Sequence, residues 1–258
     1  MIGLILGTSE GRKILSLLNE FTSDIFVSTA TEYGGELLKE YKYAYMNNKP
    51  LDLHDLISEL REKGVKVLVD ASHPYAVEVT KNVIKACDEL NIEYIRYERP
   101  SCIDEFKNED KVVEVEDYDE LKLKLKDIKG TILNTTGSKS LDKVLSLNLK
   151  NRIIYRVLPS VKVIKECNDR KIDLGDIIAL KGPVSYELNC AFIKDYGAGG
   201  MLLKDSGREG GTYEKIRACL DCGIYAFIIE RKKMNYNNIN VFYNVNELVK
   251  YIKTIKNL

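Results

Sequence analysis

A chain of 258 residues with 45% hydrophobic content carries enough apolar material for one large domain or two of about 100 to 150 residues. Its 39 basic and 39 acidic residues cancel, which removes the electrostatic case for a nucleic-acid partner. No apolar run approaches the ~20 residues that cross a bilayer, and the sequence reads straight into a strand with neither a basic region nor a small-residue cleavage site. No membrane partner is expected, and the expected location is cytoplasmic.

Residues 1–6 are apolar, as suits a strand buried on both faces of a parallel sheet. They run into Gly7-Thr8-Ser9-Glu10-Gly11-Arg12, after which Ile14, Leu15 and Leu18 recur at helical spacing. Residues 24–30 form a second predicted strand leading to a short helix that ends near residue 40, and 41–46 a third strand. Leu53, Leu56, Ile57 and Leu60 mark an amphipathic helix ending at Gly64. Residues 65–69 are a strand that stops at Asp70-Ala71-Ser72-His73-Pro74-Tyr75, and Val79, Val83, Ile84, Cys87 and Leu90 lie inside the helix that follows. Residues 92–97 are the next strand.

The polar stretch 101–111 marks a boundary, which divides the chain into 1–105 and 106–258. Strands are predicted at 111–115, 130–134, 152–158, 177–180, 200–203, 224–229 and 241–243. Helices are predicted at 118–126, 139–147, 161–167 and 186–194, around Tyr213, Ile216 and Leu220, and at 245–255; a polar loop occupies 235–240. The alternation predicts an α/β fold of two Rossmann-like domains with largely parallel sheets and a cleft between them.

A strand running into a helix aims free N–H groups at the sheet's carboxyl edge, which suits a phosphate. Gly7, Thr8, Ser9, Glu10 and Arg12 are therefore candidates for binding a nucleotide, although the loop is neither GxGxxG nor a GxxxxGK[ST] phosphate loop. The second strand ends in Ser28 and Thr29 without the acid that bonds an NAD ribose, which tilts the choice between NADPH and NADH towards NADPH. Thr136, Gly137 and Ser138 repeat the pattern in the second half. His73 follows an apolar strand beside Asp70 and Tyr75, and can donate a proton, orient a carbonyl, pair with a carboxylate or simply cap the next helix. Asp70 is equally suited to accept backbone N–H groups. His54 reads as solvated.

No Ser-His-acid triad signature is read, since neither histidine has nucleophile-elbow context, and no HExxH metal motif occurs, so binding and orientation of a cofactor are favoured over hydrolysis. Cys219 and Cys222 have CxxC spacing without a second pair or a nearby histidine, so reduced cysteines and no protein-bound metal are expected. Short-chain dehydrogenase and epimerase chemistry is disfavoured, because the tyrosine–lysine clusters lack YxxxK spacing after a serine-bearing strand. A non-catalytic nucleotide- or tetrapyrrole-binding sensor is the alternative class.

Taken in order, GTSEGR, DASHPYA, RYERP, TTGS, RVLP, KGPVS and KDSG, from residue 3 to about 231, resemble the precorrin-6A and cobalt-precorrin-6A reductases of corrin biosynthesis. The resemblance implies NADPH or NADH as cofactor and precorrin-6A or cobalt-precorrin-6A as substrate, one ring double bond being reduced to give the 6B form. It also implies transient contact with other enzymes of that pathway. Residue by residue, it implies a first loop of Gly7, Thr8, Glu10 and Arg12 and a second of Asp70, His73, Pro74 and Tyr75. Arg96, Arg99 and Pro100 follow, then Thr136 and Gly137, Gly182 and Pro183, and Lys204, Asp205, Ser206 and Gly207. Ser138 stands where family members commonly have arginine, and Val184 where they often have phenylalanine. A ring fringed with carboxylates calls for cations, and Arg96, Arg99, Lys204 and Arg208 are the candidates.

Overall fold

The computed structural model describes all residues except 233, 235, 237, 238 and 256–258. They form two compact units, Met1–Arg99 with the segment from Lys232 onward, and Pro100–Arg231. The chain runs β1 (Ile2–Leu6), α1 (Ser9–Leu18), β2 (Ile25–Thr29), α2 (Glu32–Glu36), β3 (Tyr45–Asn47), α3 (Leu53–Glu62), β4 (Val67–Ala71), α4 (Val77–Leu90) and β5 (Glu93–Tyr97). In the second unit follow β6 (Val112–Val115), α5 (Tyr118–Lys124), β7 (Thr131–Asn134), α6 (Leu141–Leu145), β8 (Ile153–Val157), α7 (Val161–Asp169) and β9 (Ile177–Ala179). That unit closes with α8 (Tyr186–Asp195), β10 (Ala198–Lys204), α9 (Thr212–Asp221) and β11 (Tyr225–Ile229). The first unit is then completed by β12 (Asn240–Phe242) and α10 (Val245–Ile252).

Each unit has one six-stranded sheet, and every pairing is parallel. The first runs β3-β2-β1-β4-β5-β12 and the second β9-β8-β7-β10-β11-β6. Both have the order of doubly wound sheets, with the switch point beside the first strand of the winding. All five residues of β1 are buried, as a strand covered on both faces requires. Leu4 and Leu6 pack with Ile14, Leu15 and Leu18 of α1 and with Val245, Leu248 and Ile252 of α10. Ile5 and Phe26 face Leu56 and Leu60 of α3 and Val83 and Cys87 of α4. In the second unit Leu133, Ile154, Met201 and Leu203 pack on Ile193, Ile216 and Cys219.

The expected division into 1–105 and 106–258 needs correction. The chain leaves the first unit at Arg99, and the segment beyond Arg231 returns to it. Asn240, Val241 and Phe242 pair with Ile95, Arg96 and Tyr97, because the edge of β5 and the apolar face of α1 would otherwise be uncovered. The strand expected at 41–46 is confined to β3, and the helix expected at 139–147 is a 3-10 turn, Ser138–Ser140, followed by the short α6. Of the polar loop expected at 235–240, residues 235, 237 and 238 lie outside the described residues, and Asn240 opens β12.

Candidate functional site

In the first unit the loops after β1 and β4 meet. A Cβ built on Gly7 would lie 2.9 Å from His73 N and 3.2 Å from Ser72 Cα, so the two backbones touch where only glycine fits. Gly11 is held as closely, with a Cβ falling 2.5 Å from Leu6 Cδ2 as α1 packs on β1. Thr8 occupies the N-cap of α1 in extended conformation, but its side chain caps no amide; its Oγ1 instead donates to Ala71 O at 3.4 Å. Thr8 therefore caps none of the first-turn N–H groups of α1, of which that of Glu10 is met by its own carboxylate. Ser9 is exposed and Arg12 partly exposed.

Glu10, expected at the nucleotide, has its carboxylate held within the fold. It is 7% exposed and pairs with the equally buried Arg99, while Ser9 Oγ donates to its carboxylate at 2.7 Å. Burial pushes the Glu10 carboxyl up, but the Arg99 and Ser9 hydrogen bonds and the Arg99 charge outweigh it and the net shift is downward. Arg99, expected as a substrate clamp, is instead the brace of the first loop.

Asp70 and Arg96 need the same correction. Their strands are adjacent and the two residues sit in register. Asp70 is fully buried; Oδ1 accepts from Ser72 N at 2.9 Å, and Oδ2 accepts from Thr80 Oγ1 and Tyr94 OH at 3.0 Å each. Arg96 Nη1 reaches Asp70 Oδ2 at 2.9 Å and Ser72 Oγ at 3.0 Å, and Nε reaches Glu98 Oε2 at 2.9 Å. Burial works against the Arg96 charge, and the carboxylates of Asp70 and Glu98 more than offset it, raising its pKa. This closed network fixes the turn that carries His73.

His73, Pro74 and Tyr75 are partly exposed. His73 Nδ1 accepts from Tyr75 N at 3.3 Å, so a neutral ring carries its proton on Nε2. The His73 and Tyr75 rings lie 5.8 Å apart. Ser28 and Thr29, expected to face a 2′-phosphate, are buried; Ser28 Oγ accepts from Asn47 Nδ2 at 3.0 Å and Thr29 Oγ1 donates to Thr31 O at 3.1 Å. Both hydroxyls serve the fold of β2, which withdraws the sequence argument for NADPH.

In the second unit, Thr136 is buried and bound to Asn134 Oδ1 through N and Oγ1, at 3.1 and 2.6 Å. Its hydroxyl also meets Ser140 Oγ at 2.6 Å. Thr136 is thus a brace, and Gly137, at φ +85°, and the partly exposed Ser138 form the turn it supports. Asp205, expected as a substrate group, is buried, accepting from Gly207 N at 3.1 Å and from Arg231 Nε at 2.9 Å. Ser206 N donates to Thr212 Oγ1 at 2.8 Å, and Gly207 has φ +66°. Gly182 and Pro183 are exposed, with Pro183 Cβ 3.1 Å from the position of a Cβ on Gly211. Lys204 is partly buried, and burial together with Lys143 and Lys139 brings its pKa down to about 8. Arg208 is exposed, pairs with Glu105 and lies 4.0 Å over the Tyr213 ring.

The expectations overlook Tyr94, Thr80, Ser140, Asn189, Arg156 and Lys215. Lys215 alone leaves a trace in the sequence, as a charge at helical spacing from Thr212, Ile216 and Cys219 on the buried face of α9. Among the described residues no group of three His, Cys, Asp or Glu is placed to hold a metal ion, and no helix is long and apolar enough to cross a membrane.

Two doubly wound parallel sheets, each with glycine- and hydroxyl-bearing loops beyond its strands, define a tandem α/β protein of the kind that handles small ligands at its sheet edges. More particularly, the chain belongs to the precorrin-6x reductase CbiJ/CobK family, whose model matches residues 1–253. It is 34% identical over 253 residues to the cobalt-precorrin-6A reductase of Methanocaldococcus jannaschii, covering 97% of each chain. It is 33% identical over 243 residues to that of Priestia megaterium, covering 93% of each. The solved structure of CobK precorrin-6A reductase superimposes with a TM-score of 0.77 at 14% identity, covering 98% of this chain and 96% of that one.

Proposed function

We propose that this chain reduces one carbon–carbon double bond of precorrin-6A or cobalt-precorrin-6A with NADPH or NADH, giving the 6B form. The observation that carries the proposal is the family match over residues 1–253. Relatives named cobalt-precorrin-6A reductase align at up to 34% identity over nearly the whole chain, whereas the precorrin-6A reductase of Mycobacterium tuberculosis aligns at 24% over 67% of it. The cobalt-containing ring is accordingly the first substrate to try.

The loop after β1 fits a dinucleotide phosphate. Gly7 brings backbone close to backbone, and Thr8 caps none of the α1 amides. Gly7, Thr8, Ser9 and Arg12 would hold it, with Gly137 and Ser138 offering a second turn. The bound nicotinamide supplies a hydride. The protein's part is to orient the ring, exclude water and see a proton delivered to the carbon next to the one reduced. His73 is the candidate donor, through Nε2–H, and Tyr75 holds its orientation through the backbone bond to Nδ1. Arg12, Lys204 and Arg208, all at least partly exposed, are the candidates for the ring's carboxylates, Arg208 exchanging its Glu105 partner for one of them. The interdomain cleft expected from the sequence belongs to this proposal, and a crystal structure with bound nucleotide would test it.

The activity is tested by mixing the protein with each ring form and each nicotinamide and following the near-ultraviolet absorbance of the reduced nicotinamide together with the ring's visible spectrum. Coupled loss of the one and change of the other is expected. Binding without either change would sink the proposal and favour a sensor.

A further inference from the structure

Two cations of the second unit are given no acid by the fold. Arg156 is the penultimate residue of β8, on the face it shares with Ile154, and lines a small cavity with Thr135, Ile178, Phe192 and Met201. Its Nη1 donates to Asn189 Oδ1 at 2.8 Å. Asn189 is fully buried and held in turn, its Nδ2 donating to Val184 O at 3.1 Å and Ser185 O at 2.8 Å. The guanidinium is thus aimed by a neutral acceptor, and it forms no ion pair with the described residues. Lys215 lies on the core-facing side of α9 with Thr212, Ile216 and Cys219 and is 6% exposed. Its ammonium makes no hydrogen bond or ion pair with the described residues.

Buried cations are ordinarily paired, because removing an ion from water without a counter-charge is expensive. Here burial brings Arg156 down to about 10 and, with repulsion from Arg156, brings Lys215 down to about 7. Glu214, Cys219 and Cys102 act on Lys215 in the opposite sense without bridging to it. Thr135 lies one residue past β7 and Arg156 one residue before the end of β8, so this end of the cavity lies toward the carboxyl edge, where doubly wound sheets take their ligands. A guanidinium oriented by a buried amide, within electrostatic reach of a second cation that has no ion pair with the described residues, is an arrangement suited to gripping an oxyanion.

We propose that Arg156 and Lys215, braced by Asn189, form an oxyanion subsite at the carboxyl edge of the second sheet. Two sources carry this chemistry, a carboxylate side chain of the macrocycle and a phosphate of the nucleotide. The choice between them, unlike the site itself, rests on the proposed function.

The test compares wild type with Lys215→Met and Arg156→Met by thermal denaturation, alone and with either NADPH or uroporphyrin III, an octacarboxylate tetrapyrrole, and by steady-state kinetics where turnover is found. Lys215→Met is expected to melt higher than wild type without ligand, since it removes a buried unpaired charge. It is expected to lose most of the ligand-induced rise in Tm. KM for one ligand should rise roughly 10- to 100-fold, the range of a charge-assisted hydrogen bond, with kcat little changed. A rise confined to the ring assigns a carboxylate, and one confined to the nucleotide assigns a phosphate. Should Arg156→Met fail to fold, Lys215→Met decides alone. Should wild type bind but not turn over, the proposed function fails while the melting shifts still judge the subsite. Equal ligand-induced shifts in wild type and Lys215→Met, or no shift in wild type with either compound, would overturn it.

Discussion

Gly7 concentrates the first unit's geometry in a missing side chain. Gly7→Ala puts a carbon 2.9 Å from a backbone nitrogen, and backbone cannot step aside as a flexible side chain can. The 72–73 turn has to shift, and, on the proposed role of His73, a displacement of the order of 1 Å costs about 10²-fold in rate; kcat/KM for the proposed reduction is the measurement. The Asp70–Arg96 pair behaves differently. Asp70→Ala leaves Arg96 buried with only Glu98 as counter-charge and is expected to cost roughly 3–5 kcal/mol in denaturant unfolding, the penalty of breaking a buried pair. Glu10 links stability to acid. Its folded pKa lies below the ordinary carboxylate value, so its contribution is present above about 4.5 and lost as pH falls through the folded pKa. Glu10→Gln should flatten that part of the stability–pH curve.

At the scale of elements, α9 carries the complementary case. Lys215 has a folded pKa of about 7 against an ordinary 10.5. Below 7 both states are protonated and the full burial penalty stands. Between 7 and 10.5 the unfolded chain binds the extra proton, so stability rises with pH. Arg156 strengthens this effect, and Glu214, Cys219 and Cys102 oppose it. Urea titrations at pH 7 and pH 9 should show the rise in wild type and lose it in Lys215→Met. The strands were legible because a strand buried on both faces is a continuous apolar run, as β1 and β4 are. The loops were legible because glycines and hydroxyls punctuate them. Which loop residues face outward was not legible. Asp70 and Arg96 lie 26 positions apart, and only the β4–β5 register shows that they neutralise each other. Arg156 is a charge within the strand sequence IIYRV, and nothing in that sequence tells a rim arginine from a buried one.

At the scale of the whole molecule, the two sheets are built differently. The second takes its six strands, β6 to β11, from one continuous stretch of chain, whereas the first takes five, β1 to β5, and fills its sixth place with β12, which follows β11. Residues 1–105 expressed alone therefore lack both β12 and α10, whose Val245, Leu248 and Ile252 pack in the first core. They should give a broad, non-cooperative melt. Joining residues 1–99 to 232–258 through a flexible linker of about a dozen residues, the minimum for a parallel crossover, should restore a cooperative transition followed by circular dichroism.

The return of β12 fixes an order of events during synthesis. A ribosome releases the first five strands early, yet the piece that closes their sheet is polymerised only after all of β6 to β11. The half that is made first therefore has to wait, with β5 an open edge, until the half made second is already complete.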